Sequence, residues 1–399
     1  MHATAPAAAI DDARPNAPVA VIHFALAMGG FAIGTTEFAT MSLVPYFAKG
    51  LGIDAPTAGH VISAYALGVV VGAPLLAVAA AKLSRRTLLI LLMTAFALFN
   101  GLSALAPTYH WMLLFRFLSG LPHGAYFGIA SLVAASLVPT NQRSQAVGRV
   151  MLGLTVATIL GVPLANWLGQ AVGWRWGFGV VAALALLTVL LVALFAPRDT
   201  PEPGVSPLTE LSALANKRVW LTLGIGAIGF GSMFCVYTYL ASTLLDVTRA
   251  SAASLPLVLA VFGVGMTLGN IIAPRFADRA LMPTAAVLLA GSVVSLALYP
   301  LAAPRFWSIC LDVFAIGFTG ALGAVLQTRL MDVAGKAQAL AAALNHSAFN
   351  TANALGPWLG GIAIAAGYGW TSTGWVGAAL ALAGLGVLGV AVLDDRRIA

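Results

Sequence analysis

The chain has 399 residues, of which 60% are hydrophobic and only 8% are charged. Soluble domains carry roughly 25% charged residues, so a globule of this composition could not cover its surface with polar groups. The composition therefore excludes a soluble enzyme, a nucleic-acid-binding protein and a disordered chain, and it predicts a membrane protein. The net charge of +7 comes from Lys and Arg scattered in ones and twos between apolar segments, which is typical of orientation signals in a membrane.

Apolar segments of spanning length recur along the whole chain. About 20 apolar residues cross a bilayer as a helix, and these segments are too long and too continuous for the strands of a barrel. The sequence therefore predicts an all-α integral membrane protein with twelve transmembrane helices, at 18–40, 57–80, 86–106, 110–138, 145–169, 173–196, 218–243, 251–273, 283–303, 306–331, 338–363 and 371–393.

One long polar connection divides these helices into two groups of six. We expect an N-terminal tail at 1–17, a six-helix bundle at 18–196, a linker at 197–217, a second six-helix bundle at 218–393 and a C-terminal tail at 394–399. If the N-terminus is cytoplasmic, fifteen of the 20 Lys and Arg residues lie on that side and four lie opposite. This excess predicts a multi-pass membrane protein with the linker and both termini in the cytoplasm.

The two halves resemble each other at a nearly constant offset. Trp111 and Trp307 are 196 positions apart, and the pair Gln145–Ala146 returns 193 positions later as Gln338–Ala339. Repeated groups of six spans are typical of transporters whose solute binds near the midplane, between the two halves.

Charged residues are clearly intramembrane, away from the ends of the predicted spans, in three cases, and each costs several kcal/mol at the bilayer centre. They are Glu37, Arg116 and Asp312, and we expect them to handle a coupling proton. Burial favours the protonated form of Glu37, whereas a nearby cation such as Arg116 favours the ionised form. Two alternatives stay open: Arg116 and Asp312 form a structural ion pair, or Glu37 only joins helices through hydrogen bonds.

Polar residues in other spans predict a solute cavity. Amides can bind the hydroxyl groups of a sugar, although they can equally join helices. A histidine can relay protons near neutral pH, although it can equally be a packing residue. The expected cavity residues are His123, Asn166, Gln170, Gln327, Asn345, His346 and Asn350.

Longer motifs resemble those of the major facilitator superfamily, and within it the drug/sugar-proton antiporters of the DHA1 type. The resemblance rests on FAIGTTEFATMSLVPYFA (31–48), RFLSGLPHGAYFG (116–128), GMTLGNIIAPRFADR (265–279) and NALGPWLGG (353–361). The chain looks most similar to bacterial arabinose efflux permeases, and this resemblance implies a location in the bacterial inner membrane. The resemblance implies the major facilitator fold, with two six-helix bundles related by a pseudo-twofold axis, and a role for Arg116 in proton transfer.

The same resemblance implies a charge latch at the cytoplasmic rim. In the family, the loop after the second span carries an aspartate and a basic cluster. Here Ala81 replaces the aspartate, and the basic cluster remains as Lys82, Arg85 and Arg86. The matching loop of the second half keeps Asp278 and Arg279, which we therefore expect to form the main latch. Plain anchoring of the membrane orientation by these Lys and Arg residues is the alternative.

Two glycine–proline pairs resemble the antiporter motif of the family. They are Gly161 with Pro163 in the fifth span and Gly356 with Pro357 in the eleventh. Glycine lets helices approach closely and proline kinks them, so both pairs fit either a gating hinge or simple packing.

These features predict a secondary active transporter that exports a small solute, a sugar or a drug, by proton antiport with alternating access. The alternative is an uncoupled facilitator or channel for a small polar solute. No HExxH motif and no phosphate-binding loop is found, so we expect no enzymatic activity, no cofactor and no metal site. The expected partners are a small-molecule solute, protons and the lipid bilayer, with no nucleic acid, and the chain is expected to act as a monomer.

Overall fold

A computed structural model describes residues 17–53, 55–79, 82–199 and 206–397. In these residues the regular structure is helical, and the long helices lie side by side. Large apolar side chains point outward: Trp307 is 77% exposed, Leu311 72% and Val287 71%. Such a surface is stable only against lipid. The all-α membrane fold expected from the sequence is confirmed.

The first bundle contains six spans, which we number α1 to α6. The fifth is one helix interrupted by a π-helical turn. The spans are α1 (Val19–Leu51), α2 (Ala55–Ala79), α3 (Arg85–Ala104), α4 (Tyr109–Ser136), α5 (Arg143–Val156, the π-helical turn Ala157–Gly161 and Val162–Ala171) and α6 (Trp174–Phe195).

A short linker helix, Pro207–Leu211, leads to the second bundle. Its six spans include a π-helical turn in the first and a break in the fourth. They are α7 (Lys217–Gly224, the π-helical turn Ile225–Gly229 and Gly231–Asp246), α8 (Leu255–Ala277), α9 (Leu281–Ala302), α10 (Phe306–Thr319 and Leu322–Val333), α11 (Gln338–Ala363) and α12 (Ser372–Arg396).

Two spans differ from their expected form. The first continues eleven residues beyond the predicted end, because the backbone first leaves the helix at Gly52, with a φ of +68°. The tenth is broken, because the N–H groups of Gly320 and Ala321 bond three residues back instead of four, at 2.9 and 3.3 Å. A local tightening of this kind interrupts the regular α-helical ladder.

Eleven of the described helices are long and apolar enough to cross a membrane. The exception is α11, which has 26 residues but carries Asn345, His346 and Asn350 along its length. A helix of 26 residues is about 39 Å long, enough to span the hydrocarbon core. Its polar side chains are buried within the protein, which removes them from lipid.

The bundles meet most closely at the end where the linker joins them, which we call the linker side. Gly128 of α4 lies against the backbone of Ala342 and Ala343 in α11, so closely that a Cβ atom there would collide with it. A buried apolar cluster at this end joins both bundles to the linker; its members include Ala73, Ala213, Leu330, Leu340 and Leu344. The molecule is therefore closed on the linker side.

Candidate solute and proton site

A cavity lies between the two bundles. Its space amounts to about 680 Å³, part of which is open to solvent, and α1, α4, α5, α7, α8, α10 and α11 contribute to its wall. The polar side chains of the wall are Glu37, His123, Thr155, Asn270, His346 and Asn350. Aromatic rings and methionines make up much of the remainder, namely Phe38, Phe230, Phe234, Tyr237, Phe262, Phe349, Met151, Met233 and Met266.

Glu37 is the only carboxylate among the described residues of this wall. It lies on α1, next to Phe38, and is partly exposed to the cavity. In the described part of the chain its carboxyl group makes no ion pair within 4 Å, although Arg116 is near enough to act on it electrostatically. The protonation state of such a group responds to what occupies the cavity, because water, a cation and an apolar solute favour different forms.

Arg116 lies behind Glu37 and is 1% exposed. One guanidinium nitrogen donates hydrogen bonds to Thr36 Oγ1 at 3.0 Å and Asn100 Oδ1 at 3.3 Å. The guanidinium carbon lies 4.3 Å from the centre of the Tyr65 ring, a cation–π contact. Arg116 therefore touches the residue next to Glu37 and is held by neutral groups.

The alternative of an ion pair between Arg116 and Asp312 is wrong, because the described residues contain no salt bridge between them. Asp312 belongs to α10 of the second bundle, is 8% exposed and does not line the cavity. One of its carboxyl oxygens, Oδ2, is buried without a hydrogen-bond partner. Asp312 follows Arg116 by the offset that relates the two halves of the sequence. The two residues therefore hold corresponding positions in different bundles and are not in contact.

His123 and His346 connect the bundles. His123 Nδ1 lies 2.9 Å from the Tyr65 hydroxyl, and its Nε2 lies 3.2 Å from Nδ1 of His346 in α11. The His346 ring stacks on Phe127 at 4.2 Å, and its Nε2 is buried without a partner. A hydrogen bond between two imidazole nitrogens needs one N–H and one lone pair, so it is lost if both rings become cations. Since Tyr65 also contacts Arg116, the chain Arg116–Tyr65–His123–His346 runs from the first bundle into the second.

The amides expected in the cavity divide into three groups. Asn350 lies in the wall, as does Asn270. Gln327 and Asn345 do not: Asn345 donates to Gln327 Oε1 at 2.6 Å, and Gln327 donates to the Ala342 carbonyl at 3.0 Å, so both join α10 to α11. The side chains of Asn166 and Gln170 lie outside the described residues.

Asp278 bridges the bundles on the linker side. Its carboxylate accepts hydrogen bonds from the N–H of Ser144 at 2.6 Å, the N–H of Gln145 at 3.3 Å and the Gln145 amide at 2.9 Å. These N–H groups belong to the first turn of α5, where the helix dipole favours an anion. A second bridge joins Arg143 to Asp332 at 3.0 Å. The geometry allows Asp278 to hold this side closed.

For the other charged residues expected in the gate, the contacts described are with their own bundle or the linker. Lys82 and Arg279 are exposed. The backbone N–H groups of Arg85 and Arg86 donate to the Asp199 carboxylate at 2.7 and 3.2 Å, and the Arg86 guanidinium donates to the Ala193 carbonyl of the same bundle. These contacts hold the first-half loop to its own bundle and to the beginning of the linker.

The glycine–proline pairs lie at tight or irregular places. Gly161 ends the π-helical turn of α5 and packs on Thr35, whereas Pro163 is exposed. Gly356 of α11 packs on the backbone of α7, and the Pro357 carbonyl accepts a hydrogen bond from Tyr239 at 2.9 Å. Both pairs are consistent with a role in close helix packing. The π-helical turn also gives α5 a place where the helix can bend.

Comparison with known proteins agrees with this architecture. The family model of the Major Facilitator Superfamily matches residues 26–310. The inner membrane transport protein YdhP of Escherichia coli is 40% identical over 90% of this chain and 92% of its own length. The crystal structure of the E. coli fucose:proton symporter FucP superposes with a TM-score of 0.74, at 14% identity, over 94% of this chain and 98% of that one. The predicted fold class is thereby confirmed.

The relatives do not single out the arabinose-type subgroup expected from the sequence. The E. coli transporter AraJ is 29% identical over 92% of this chain and 94% of its own length, a more distant relation than that of YdhP. A chloramphenicol resistance protein of Streptomyces lividans is 33% identical (84% of this chain, 86% of the relative), and a probable sugar efflux transporter of Helicobacter pylori is 30% identical (91% and 93%). The chain belongs to the major facilitator superfamily and is a multi-pass secondary transporter of the inner membrane, not an enzyme.

Proposed function

We propose that this protein exports a small, largely apolar solute with an aromatic ring in exchange for protons. The observation that carries the proposal is the composition of the cavity wall, in which six aromatic rings and three methionines surround one carboxylate. Methionine and aromatic side chains adapt to apolar ligands of different shape. The two histidines of the wall contact each other, and Asn270 and Asn350 donate to carbonyls of their own helices, so a sugar would find few free donors for its hydroxyl groups here. The wall therefore favours a drug-like solute over a sugar.

Glu37 is the proposed exchange site for the proton. In an apolar, poorly hydrated cavity its carboxyl group is more stable when protonated, whereas water entry and the charge of Arg116 favour the carboxylate. A largely apolar solute that carries a positive charge would bind beside the carboxylate, so solute and proton compete for Glu37, and each is released on the side to which the cavity opens. Arg116, Tyr65 and His123 support the site from behind, and Asp312 is the proposed second proton site.

The excess of Lys and Arg on the linker side supports a cytoplasmic position for the linker and both termini. Each chain holds both bundles and the whole cavity, which supports a monomer as the transporting unit.

The test uses purified protein in vesicles with an imposed pH gradient. We expect ethidium, a largely apolar aromatic cation, to accumulate against its gradient, and L-arabinose not to accumulate. Glu37→Gln should lose uphill ethidium transport but retain ethidium exchange without a pH gradient. Accumulation of arabinose alone would contradict the proposed solute. Ethidium equilibration that ignores the pH gradient in the parent protein would favour the uncoupled facilitator.

A further inference from the structure

Two helices of opposite bundles, α5 and α11, begin on the linker side, and each has an acid bound to its first turn. At the third residue of α5, the N–H of Gln145 donates to Asp278 Oδ2 at 3.3 Å. At the third residue of α11, the N–H of Leu340 donates to Glu210 Oε2 at 2.8 Å. Each acid therefore binds the third residue of its helix, although the repeat itself pairs Gln145 with Gln338 and the acids come from different parts of the chain.

The two acids belong to different elements of the chain. Asp278 follows α8 directly, at the loop that joins α8 to α9. The corresponding loop of the first half has Ala81 at the acid position and cannot supply a carboxylate there. Glu210 belongs instead to the linker helix and is 3% exposed, an unusual burial for an acid in a polar connection.

Contacts with both bundles hold the linker helix beside the beginning of α11, where Glu210 accepts the hydrogen bond from Leu340. It packs against α2 of the first bundle and α11 of the second. Ala213, just after it, is buried in the apolar cluster with Leu340 and Leu344. Further along, Asn216 donates to the Val333 carbonyl at the end of α10, at 2.8 Å. Glu210 is thus held against the beginning of α11.

We propose that Glu210 is the second acid of the linker-side gate and replaces the acid that the first-half loop lacks. Its carboxylate satisfies an N–H group that the helix itself cannot pair, at the end where the helix dipole is positive. Opening the linker side requires the beginning of α11 to move relative to α2 and the linker helix. Glu210 therefore acts as a positioning residue that stabilises the closed state, and the linker is part of the gate.

This inference rests on alternating access but not on the proposed solute or proton, so its test needs neither. Cys235 and Cys310 are replaced by alanine, and a single cysteine is introduced by Met151→Cys, at a buried position of the cavity wall in α5. The rate of its reaction with a membrane-impermeant maleimide from the linker side measures how often that side opens.

We expect Glu210→Gln, which keeps the size of the side chain but removes the charge, to raise the labelling rate about tenfold. Asp278→Asn should raise it similarly. Glu210→Asp, which keeps the carboxylate, should stay close to the parent. Asp246→Asn is the matched control, because Asp246 is an exposed acid at the opposite end of α7 and should have no effect.

A parental labelling rate in Glu210→Gln, with a raised rate in Asp278→Asn, would overturn the proposal and leave Asp278 as the gate acid. Equal acceleration by Glu210→Asp and Glu210→Gln would also overturn it, because the effect would then follow packing and not charge. Failure of the parent protein to accumulate ethidium would count against the proposed function and not against this gate, because the labelling rate does not depend on the solute.

Discussion

Replacing Arg116 by lysine tests whether a planar guanidinium is needed behind Glu37. One nitrogen of Arg116 shares its two hydrogens among Thr36, Asn100 and Ser119, at 3.0, 3.3 and 3.4 Å, while the guanidinium carbon lies 4.3 Å from the centre of the Tyr65 ring. An ammonium group keeps the charge but is a compact, strongly hydrated cation on a flexible stem, and it cannot present a planar cation to the Tyr65 ring. We therefore expect Arg116→Lys to fail even though the net charge is unchanged.

The size of the effect follows from the contacts that are lost. A hydrogen bond from a charged donor contributes about 1.5–3 kcal/mol, and a desolvated cation–π contact about 2 kcal/mol. If the lysine loses one hydrogen bond and about half of the ring contact, the cost is about 3 kcal/mol, which corresponds to roughly a hundredfold loss of rate. Arg116→Ala removes all contacts and should abolish transport.

The assay is uphill ethidium transport in vesicles, normalised to the amount of monodisperse purified protein. Arg175→Lys is the matched control, because Arg175 also combines a hydrogen bond, to the Ala106 carbonyl at 3.1 Å, with a cation–π contact, to Trp174 at 4.2 Å, but neither partner is next to Glu37 in α1. Parental transport by Arg116→Lys would refute the reasoning and reduce Arg116 to a simple positive charge. Equal losses in both lysine variants would show a general folding effect.

Two further predictions use the same vesicles. Asp278→Asn removes the charge from three hydrogen bonds at the beginning of α5, so transport should fall about tenfold at unchanged expression; a parental rate would make this latch unnecessary. His346→Phe keeps a ring that can stack on Phe127 but removes the hydrogen bond to His123, so coupled transport should fall while ethidium exchange persists. If coupled transport stays normal, the two histidines are only a packing contact.

The spans could be predicted because their signal is local. A continuous apolar segment of about 20 residues predicts a helix in lipid wherever it occurs. The ends of most spans therefore agree closely with the sequence, and α11 was recognisable despite its polar face. The break of α10 at Gly320 and the extension of α1 to Leu51 were not, because both depend on how individual turns pack and not on hydropathy.

The site could be predicted only in part. A charged residue in a span is conspicuous, so Glu37 and Arg116 stand out in the sequence. The direction of an amide is not encoded in its spacing, which is why Gln327 and Asn345 were expected in the cavity but join two helices instead. The aromatic wall escaped notice because Phe230 and Phe262 have the same composition signal as residues that face lipid.

Tyr65 was not predicted as a site residue, because an aromatic residue in a span resembles the residues that face lipid. Its hydroxyl group in an otherwise apolar span was nevertheless a usable signal. Glu210 lay in a polar connection, where an acid is ordinarily solvated. The replacement of the loop acid by Ala81 was visible in the sequence, but only the structure shows which other carboxylate reaches α11.

The contacts between the bundles suggest how the proton and the gate are linked. The linker-side bridges of Asp278 and Glu210 hold the beginnings of α5 and α11, and the His123–His346 bond lies farther along α11, at the cavity. When α11 moves away from α4, these contacts on α11 cannot all persist, because a helix transmits displacement along its length. The opening of the linker side and the breaking of the bond between the two histidines therefore both involve movement of α11 away from α4. We propose that protonation of both histidines, which breaks their hydrogen bond, favours opening, while Glu210 and Asp278 oppose it.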